Sequence, residues 1–330
     1  MHIPDGFLNA RTAVTAGALA ATGLGLALRD VRRTVPASRV PLVGLAGAFV
    51  FAAQMLNFPV AGGTSGHLIG GVLAAVLLGP SAAVLVMSAV LILQCFMFAD
   101  GGVTALGANI FNMAIVAPSV GYAVYVLVRR LAGGGLRSQL LATGFAAWCS
   151  TVVAAIVCAA ELAASGTVAW RVSFPAMAGV HMLIGIGEGV ITTLVVAAVA
   201  RVRPELLRGG PEPVLRRSYR AFAIYGLLVA LGLAFFIAPA ASKWPDGLER
   251  VAGRLGFEHR AQPHPVVSPL PDYTVPGLGS PVAATIVAGG IGTLAAFALA
   301  YVLARVLTPA RAKAERATTG KGRFDAPRAA

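Results

Sequence analysis

Residues 12–28 read TAVTAGALAATGLGLAL, and RDVRR follows at 29–33. The run is close to the roughly 20 apolar residues that a helix needs to cross a bilayer core, and its basic cluster stands after it rather than before it. A cleaved secretory leader has the opposite order. Although ALAA at 18–21 has the small residues of a cleavage site, the run is therefore expected to remain as a spanning helix whose arginine end is held in the cytoplasm. MHIPDGFL, residues 1–8, then lies outside.

The same pattern recurs along the chain. With 57% hydrophobic and 12% charged residues and a mean hydropathy of +0.80, the composition is that of a polytopic membrane protein. Spans are expected near 12–28, 40–58, 67–79, 81–98, 108–128, 139–163, 175–200, 221–240 and 281–306. The third, centred on LIGGVLAAVLLGP, is short for a full crossing and reads as tilted or re-entrant. The net charge of +13 sits in alternate loops: RDVRRTVPASR, VRRLAGGGLRSQ, RVRPELLRGGPEPVLRRSYR and the tail ARVLTPARAKAERATTGKGR. The intervening loops, PVAGGTSGH, FADGGVTALGAN and SGTVAWRVSF among them, hold few basic residues. By the positive-inside rule the chain is N-out and C-in, in the plasma membrane of a prokaryote. No basic stretch carries interleaved aromatics, so nucleic acid is excluded as a partner while membrane lipid is implied.

The fold class expected is an all-α polytopic membrane protein, a helical bundle of about seven spans followed by a two-helix module. The division falls near 210–218, in GGPEPVLRR, because the last two spans bracket an external loop, KWPDGLERVAGRLGFEHRAQPHPVVSPLPDYTVPGLGS, too long for a simple connection. The domains are thus 1–210, a cytoplasmic linker 211–218, a module 219–307 with its external PDGLE loop, and a basic cytoplasmic tail 308–330.

Chemistry is concentrated in few residues. Met1 and His2 form a chelating unit: the α-amine, the His2 amide nitrogen and the His2 Nδ1 can close adjoining five- and six-membered rings around one ion. Planar nitrogen ligation suits Ni(II) or Cu(II), with Co(II) close behind. His67, in the glycine-rich GGTSGHLIGG on the same membrane face, is the candidate fourth nitrogen. Within the apolar spans the polar residues are Asn57, Gln94, Asn109, Asn112, His181 and Glu188; His181 and Glu188, seven apart, share one helix face and either orient ligands or join helices. Cys95, Cys149 and Cys158 lack metal spacing and read as small packed side chains. An enzyme alternative comes from GTSG at 63–66: a rhomboid-like intramembrane serine protease would use Ser65 as nucleophile and His181 as base. No GxxxxGK[ST] occurs, so any ATP hydrolysis belongs to partner subunits and the chain itself is not expected to be an enzyme.

MHIPDGFL, VFAAQMLNFPVAGGTSGHLIGG at 50–71, FADGGVTALGANIFNMAIV at 98–116 and HMLIGIGEGVIT at 181–192 together resemble the CbiM/NikM family, the membrane substrate-capture components of energy-coupling factor transporters for cobalt and nickel. WPDGLERVAG at 244–253 resembles the PDGLE region of the small companion subunit, so residues 219–307 look like that companion fused to the capture component. The resemblance implies that Met1, His2 and His67 bind the transported Co²⁺ or Ni²⁺, with no permanent cofactor. It makes Asp5, Asn57, Thr64 and Ser65 supporting residues beside His181 and Glu188. It further implies a transmembrane coupling protein and cytoplasmic ATPase subunits as partners, and leans towards cobalt. His259 and His264, in the external loop, could relay metal inward.

Overall fold

A computed structural model describes residues 1–208 and 219–308. The expected linker 211–218, and the tail beyond residue 308, lie outside the described residues. The chain is built from helices: α1 (Ala10–Thr34), α2 (Val40–Gln54), α3 (Gly71–Leu78), α4 (Pro80–Phe98), α5 (Leu106–Leu131), α6 (Leu136–Ala164), α7 (Trp170–Val202), α8 (Tyr219–Ala240), α9 (Gly247–Leu255) and α10 (Pro281–Leu307). Among the described residues eight helices are long and apolar enough to cross a membrane; α3 and α9 are not. Asn9 caps α1 by accepting from the Thr12 N–H, and Ser280 caps α10 with Pro281 in its first turn, where a missing N–H costs nothing. Apolar α4 runs through the centre, whereas α1 is mostly exposed on the outside of the bundle.

The expected third span is corrected by the structure. Residues 67–70 are irregular, with Gly70 in the left-handed region at φ 81°, and α3 has only eight residues. The segment nevertheless traverses the bundle. Helix α4 has 19 residues, about 28 Å at 1.5 Å each, and its far end leads into Asp100, which touches His2 in the same site as His67. Pro80 is therefore at the opposite end of the bundle from His67, and residues 68–79 cross as a short irregular stretch followed by a helix of about two turns. Non-helical backbone at that depth needs partners from the protein. Gln54 donates to the Ile69 carbonyl at 2.8 Å, and Glu188 accepts from the N–H groups of Ile69 and Gly70 at 2.6 and 2.9 Å.

The C-terminal module is joined tightly to the rest. Helix α10 lies along α2, where a Cβ on Gly47 would come within 2.8 Å of Ala300 Cβ and 2.9 Å of the Ala296 carbonyl. Small residues here let two apolar helices approach closely enough for dispersion to hold them in lipid. At the end of the bundle carrying the N terminus, Tyr273 stacks on Phe98 at 4.7 Å, and Phe98 packs on Phe51 at 5.2 Å. The segment between α8 and α10 is thereby laid over the polar end of the bundle.

Candidate metal centre

The first eight residues are threaded into the protein instead of trailing from it. Asn109 brackets Ile3, accepting from its N–H at 2.8 Å and donating to its carbonyl at 3.1 Å, while the Gly102 N–H also donates to that carbonyl. The Asp5 carboxylate accepts from the Val103 and Thr104 N–H groups and the Thr104 hydroxyl, and Thr167 donates to the Phe7 carbonyl. Ile3 is 0% exposed and Met1 4%. The result is an α-amino group buried at a fixed place.

That amine meets two side chains. It donates to His67 Nε2 at 2.9 Å and forms a 2.6 Å ion pair with Asp246 Oδ2. The His2 ring lies nearly parallel to that of His67, centroids 5.5 Å apart and planes at 15°. His2 Nδ1 faces Asp100 Oδ1 at 3.0 Å, and its Nε2 is buried with no partner. Burial, with the ammonium and His2 alongside, pushes the His67 imidazole down to about 3. His67 is therefore neutral, with its Nδ1 against the Leu68 carbonyl at 3.1 Å and its Nε2 lone pair turned to the amine. Burial alone would raise Asp100 and Asp246, but the former has His2 and the Tyr273 hydroxyl beside it and the latter has the Met1 ammonium and His67, so both are held well below the usual carboxylate range.

Supporting residues hold this arrangement in distinct ways. Glu188 fixes the backbone immediately after His67, as described above. Thr64 and Ser65 lie buried in a short hairpin in which Phe58–Val60 pairs with Thr64–Gly66. Ser65 reaches across to the C-terminal module, its hydroxyl donating to the Trp244 carbonyl at 2.7 Å and its N–H to the Pro245 carbonyl at 2.9 Å. Asp246 caps α9, its Oδ1 accepting from the Leu248 and Glu249 N–H groups while Glu249 returns a bond to the Asp246 N–H; the other oxygen is left for the amine. His181 bonds the Met177 carbonyl through Nδ1 and packs under Gly247, where a Cβ would lie 2.7 Å from its ring. Asn57 accepts from the Ser242 N–H through its carbonyl and lines the adjoining cavity.

Four residues of the site went unassigned in the sequence reading. Asp100 and Asn109 sat inside a quoted motif, and PDGLE contained Asp246, but nothing in their spacing placed them at residue 1. Tyr273, which donates to Asp100 at 2.5 Å, carried no sequence signal. The histidines of the external loop are not in the site: His264 lies between the Val266 carbonyl and Cys95, and His259 is exposed. The protease alternative finds no support, since Ser65 and His181 each bond a backbone carbonyl and no bond joins them among the described residues.

The Met1 amine and the two imidazole rings are thus neighbours. Two adjacent corners of a square around an ion with bonds of about 2.0 Å are about 2.8 Å apart, and the amine and His67 Nε2 are separated by 2.9 Å. Among the described residues no three His, Cys, Asp or Glu side chains form a metal cluster. The family model described as the cobalt uptake substrate-specific transmembrane region matches residues 2–206, and the PDGLE domain model matches residues 220–309. The chain belongs to the CbiM family. It is similar to the fused nickel transport protein NikMN of Rhodobacter capsulatus, 38% identical over 272 residues and 78% of each chain. It is also similar to the cobalt transport protein CbiM of Geobacter sulfurreducens, 31% identical over 280 residues and 80% of each. A crystal structure of a transition metal transporter is 33% identical with a TM-score of 0.57, covering 67% of this chain and 99% of that one. A truncated transition metal transporter is 36% identical with a TM-score of 0.56, covering 61% and 99%. This CbiM-family chain, fused to a PDGLE module, is a multi-pass protein of the prokaryotic plasma membrane and a non-enzymatic component of cobalt or nickel transport.

Proposed function

We propose that the chain is the substrate-capture component of an energy-coupling factor importer for divalent cobalt or nickel, oriented N-out and C-in. The observation that carries this reading is the buried Met1 amine, 2.9 Å from His67 Nε2 and beside the stacked His2 ring. The ion is ligated by the amine, the His2 amide nitrogen, His2 Nδ1 and a His67 nitrogen. Closing the six-membered ring requires His2 to turn its Nδ1 away from Asp100, and the amine must leave Asp246. Both carboxylates remain nearby to offset the charge of the ion. Planar four-nitrogen ligation favours nickel over cobalt, the fused relative is named for nickel and the family for cobalt uptake; competition between the two ions ranks them.

The orientation follows from Arg32, Arg33, Arg129, Arg130, Arg201 and Arg305, which end their helices opposite the nitrogen site. The chain has no phosphate-binding loop, so reorientation of the loaded site is driven by partners, a transmembrane coupling protein and cytoplasmic ATPase subunits. The test is to add one residue ahead of Met1, which converts the amine to an amide, and to compare it with a C-terminal tag. The extended chain loses high-affinity Ni²⁺ and Co²⁺ binding and uptake, while the tagged chain keeps both. Uptake unchanged by the extension refutes the chelate.

A further inference from the structure

A cavity of 540 Å³ opens beside the nitrogen site, between the CbiM half and the C-terminal module. His2 and His67 form part of its wall. Carboxylate and amide oxygens come from both halves: Gln54 and Asp100 from one, Asp246, Glu249, Glu258 and Asp272 from the other, with Lys243 the cation among the described lining residues. Gln54 is only 5% exposed, its amide nitrogen is committed to the Ile69 carbonyl, and its Oε1 has no hydrogen-bond donor. A buried acceptor in that position calls for an O–H or N–H from something that occupies the cavity.

The chemistry of the wall limits what that occupant is. The carboxylates and the amide oxygen accept hydrogen bonds and repel anions, while Phe7, Met55, Phe98 and Leu248 line the rest of the wall. A hydrated divalent cation fits on each count: it is positive and presents only O–H donors outward. Six waters at about 30 Å³ each occupy about 180 Å³, which the 540 Å³ cavity holds with room for further solvent. We propose that this cavity is a waiting site in which the aqua ion is held through its water ligands, with Gln54 Oε1 among the acceptors, before it exchanges water for the nitrogen ligands. This rests on the nitrogen site being the destination. Four of the five carboxylates belong to the fused module, against the one Lys243 among the described lining residues, and a cleft with a net excess of one charge raises the local concentration of the opposite ion.

The test uses the full chain in nanodiscs of zwitterionic lipid. Mn²⁺ is the probe of the waiting site, because it prefers oxygen ligands and water over imidazole, and water-proton relaxation reports an ion that is bound yet still hydrated. The variant is Glu258→Gln with Asp272→Asn; both side chains are exposed, and asparagine tolerates the positive φ of 53° at position 272. The wild-type chain binds hydrated Mn²⁺, and the variant binds it about tenfold more weakly. Ni²⁺ association, followed by stopped flow, slows about tenfold in the variant while dissociation is unchanged. Absence of Mn²⁺ binding to the wild type, or equal affinity in the variant, overturns the waiting site. The chain extended ahead of Met1 separates the two readings. There Mn²⁺ binding persists although tight Ni²⁺ binding is gone; were tight Ni²⁺ binding retained, the nitrogen chelate would fall, and the Mn²⁺ comparison would still decide the waiting site.

Discussion

Replacing Glu188 by glutamine tests whether a buried carboxylate far from any ligand atom sets the affinity of the site. Glu188 is 2% exposed and accepts from two backbone N–H groups, those of Ile69 and Gly70, directly after His67. Glutamine keeps the shape but offers one acceptor oxygen in place of two, and its NH₂ faces the second N–H as a donor against a donor. One buried backbone N–H loses its partner, at about 1–3 kcal/mol. If the irregular segment must be in place for His67 to ligate, that cost enters the binding equilibrium, and about 1.4 kcal/mol per decade makes it a loss of roughly 5- to 150-fold in affinity. Competition titration of Ni²⁺ against a chelator of known strength, on the detergent-solubilised chain, measures it. His67→Ala provides the contrast, since it removes a ligand and leaves both N–H groups satisfied, so affinity falls with little change in melting temperature. Glu188→Gln lowers both. An affinity within twofold of wild type would refute the claim that the partly irregular crossing is held in register by this carboxylate.

Other perturbations reach different parts of the same site. Asp246→Asn removes the charge from the 2.6 Å pair with the amine, and the metal-free chain should lose about 1.5–3 kcal/mol, read as a lower chemical-denaturation midpoint; an unchanged midpoint would count against a structural role for this pair. Ser65→Ala deletes the bond to the Trp244 carbonyl and should speed hydrogen exchange in α9 while metal uptake continues, an outcome a serine nucleophile would not allow. Since folded His67 titrates at about 3 against 6.5 for a free imidazole, the unfolded chain binds the extra proton between those values. Stability of the metal-free protein should therefore be full above about pH 6.5 and decline as the pH falls towards 3. His67→Gln should flatten that slope, and parallel melting curves for the two proteins across this range would be the contrary result.

The legible part of this fold was the part governed by composition and periodicity. Eight crossings and the division before the last two follow from runs of apolar residues and the placement of arginines, which are local properties of the chain. The third crossing was not fully legible, because GTSGHLIGG pairs its backbone with Gln54 and Glu188, and which buried acceptor serves which N–H is settled by helix packing. The proposed chelate is a local reading of the same kind: Met1 and His2 are neighbours, so the ring sizes it would close follow from covalent structure alone. Asp246 joins residue 1 across the whole chain, and no spacing rule connects them. His181 illustrates the intermediate case: it shared a helix face with Glu188, as expected, but the two act on different things, one under Gly247 and the other on the His67 loop.

The site is arranged so that the amine, the His2 Nδ1 and the His67 Nε2 each already have a partner. The amine is held by Asp246 and the His2 Nδ1 by Asp100, while His67 Nε2 accepts from the amine. On the proposed ligation an arriving cation displaces these contacts and inherits the carboxylates that made them, so the negative charge assembled around the ammonium would also serve the ion. This explains why the two halves are so closely docked. Asp100 comes from the CbiM half and Asp246 from the PDGLE module, and contacts across the seam, among them the Ser65 clamp, the Ser242–Asn57 and Tyr273–Asp100 bonds and the α2–α10 contact, bring the second carboxylate to the amine. Carrying both halves on one chain makes that docking intramolecular, raising the effective concentration of Asp246 at the site without any new contact. A separately expressed module 219–308 should on this reasoning restore binding to residues 1–208 only at high concentration, and the dependence of Ni²⁺ affinity on module concentration would measure how much the fusion contributes.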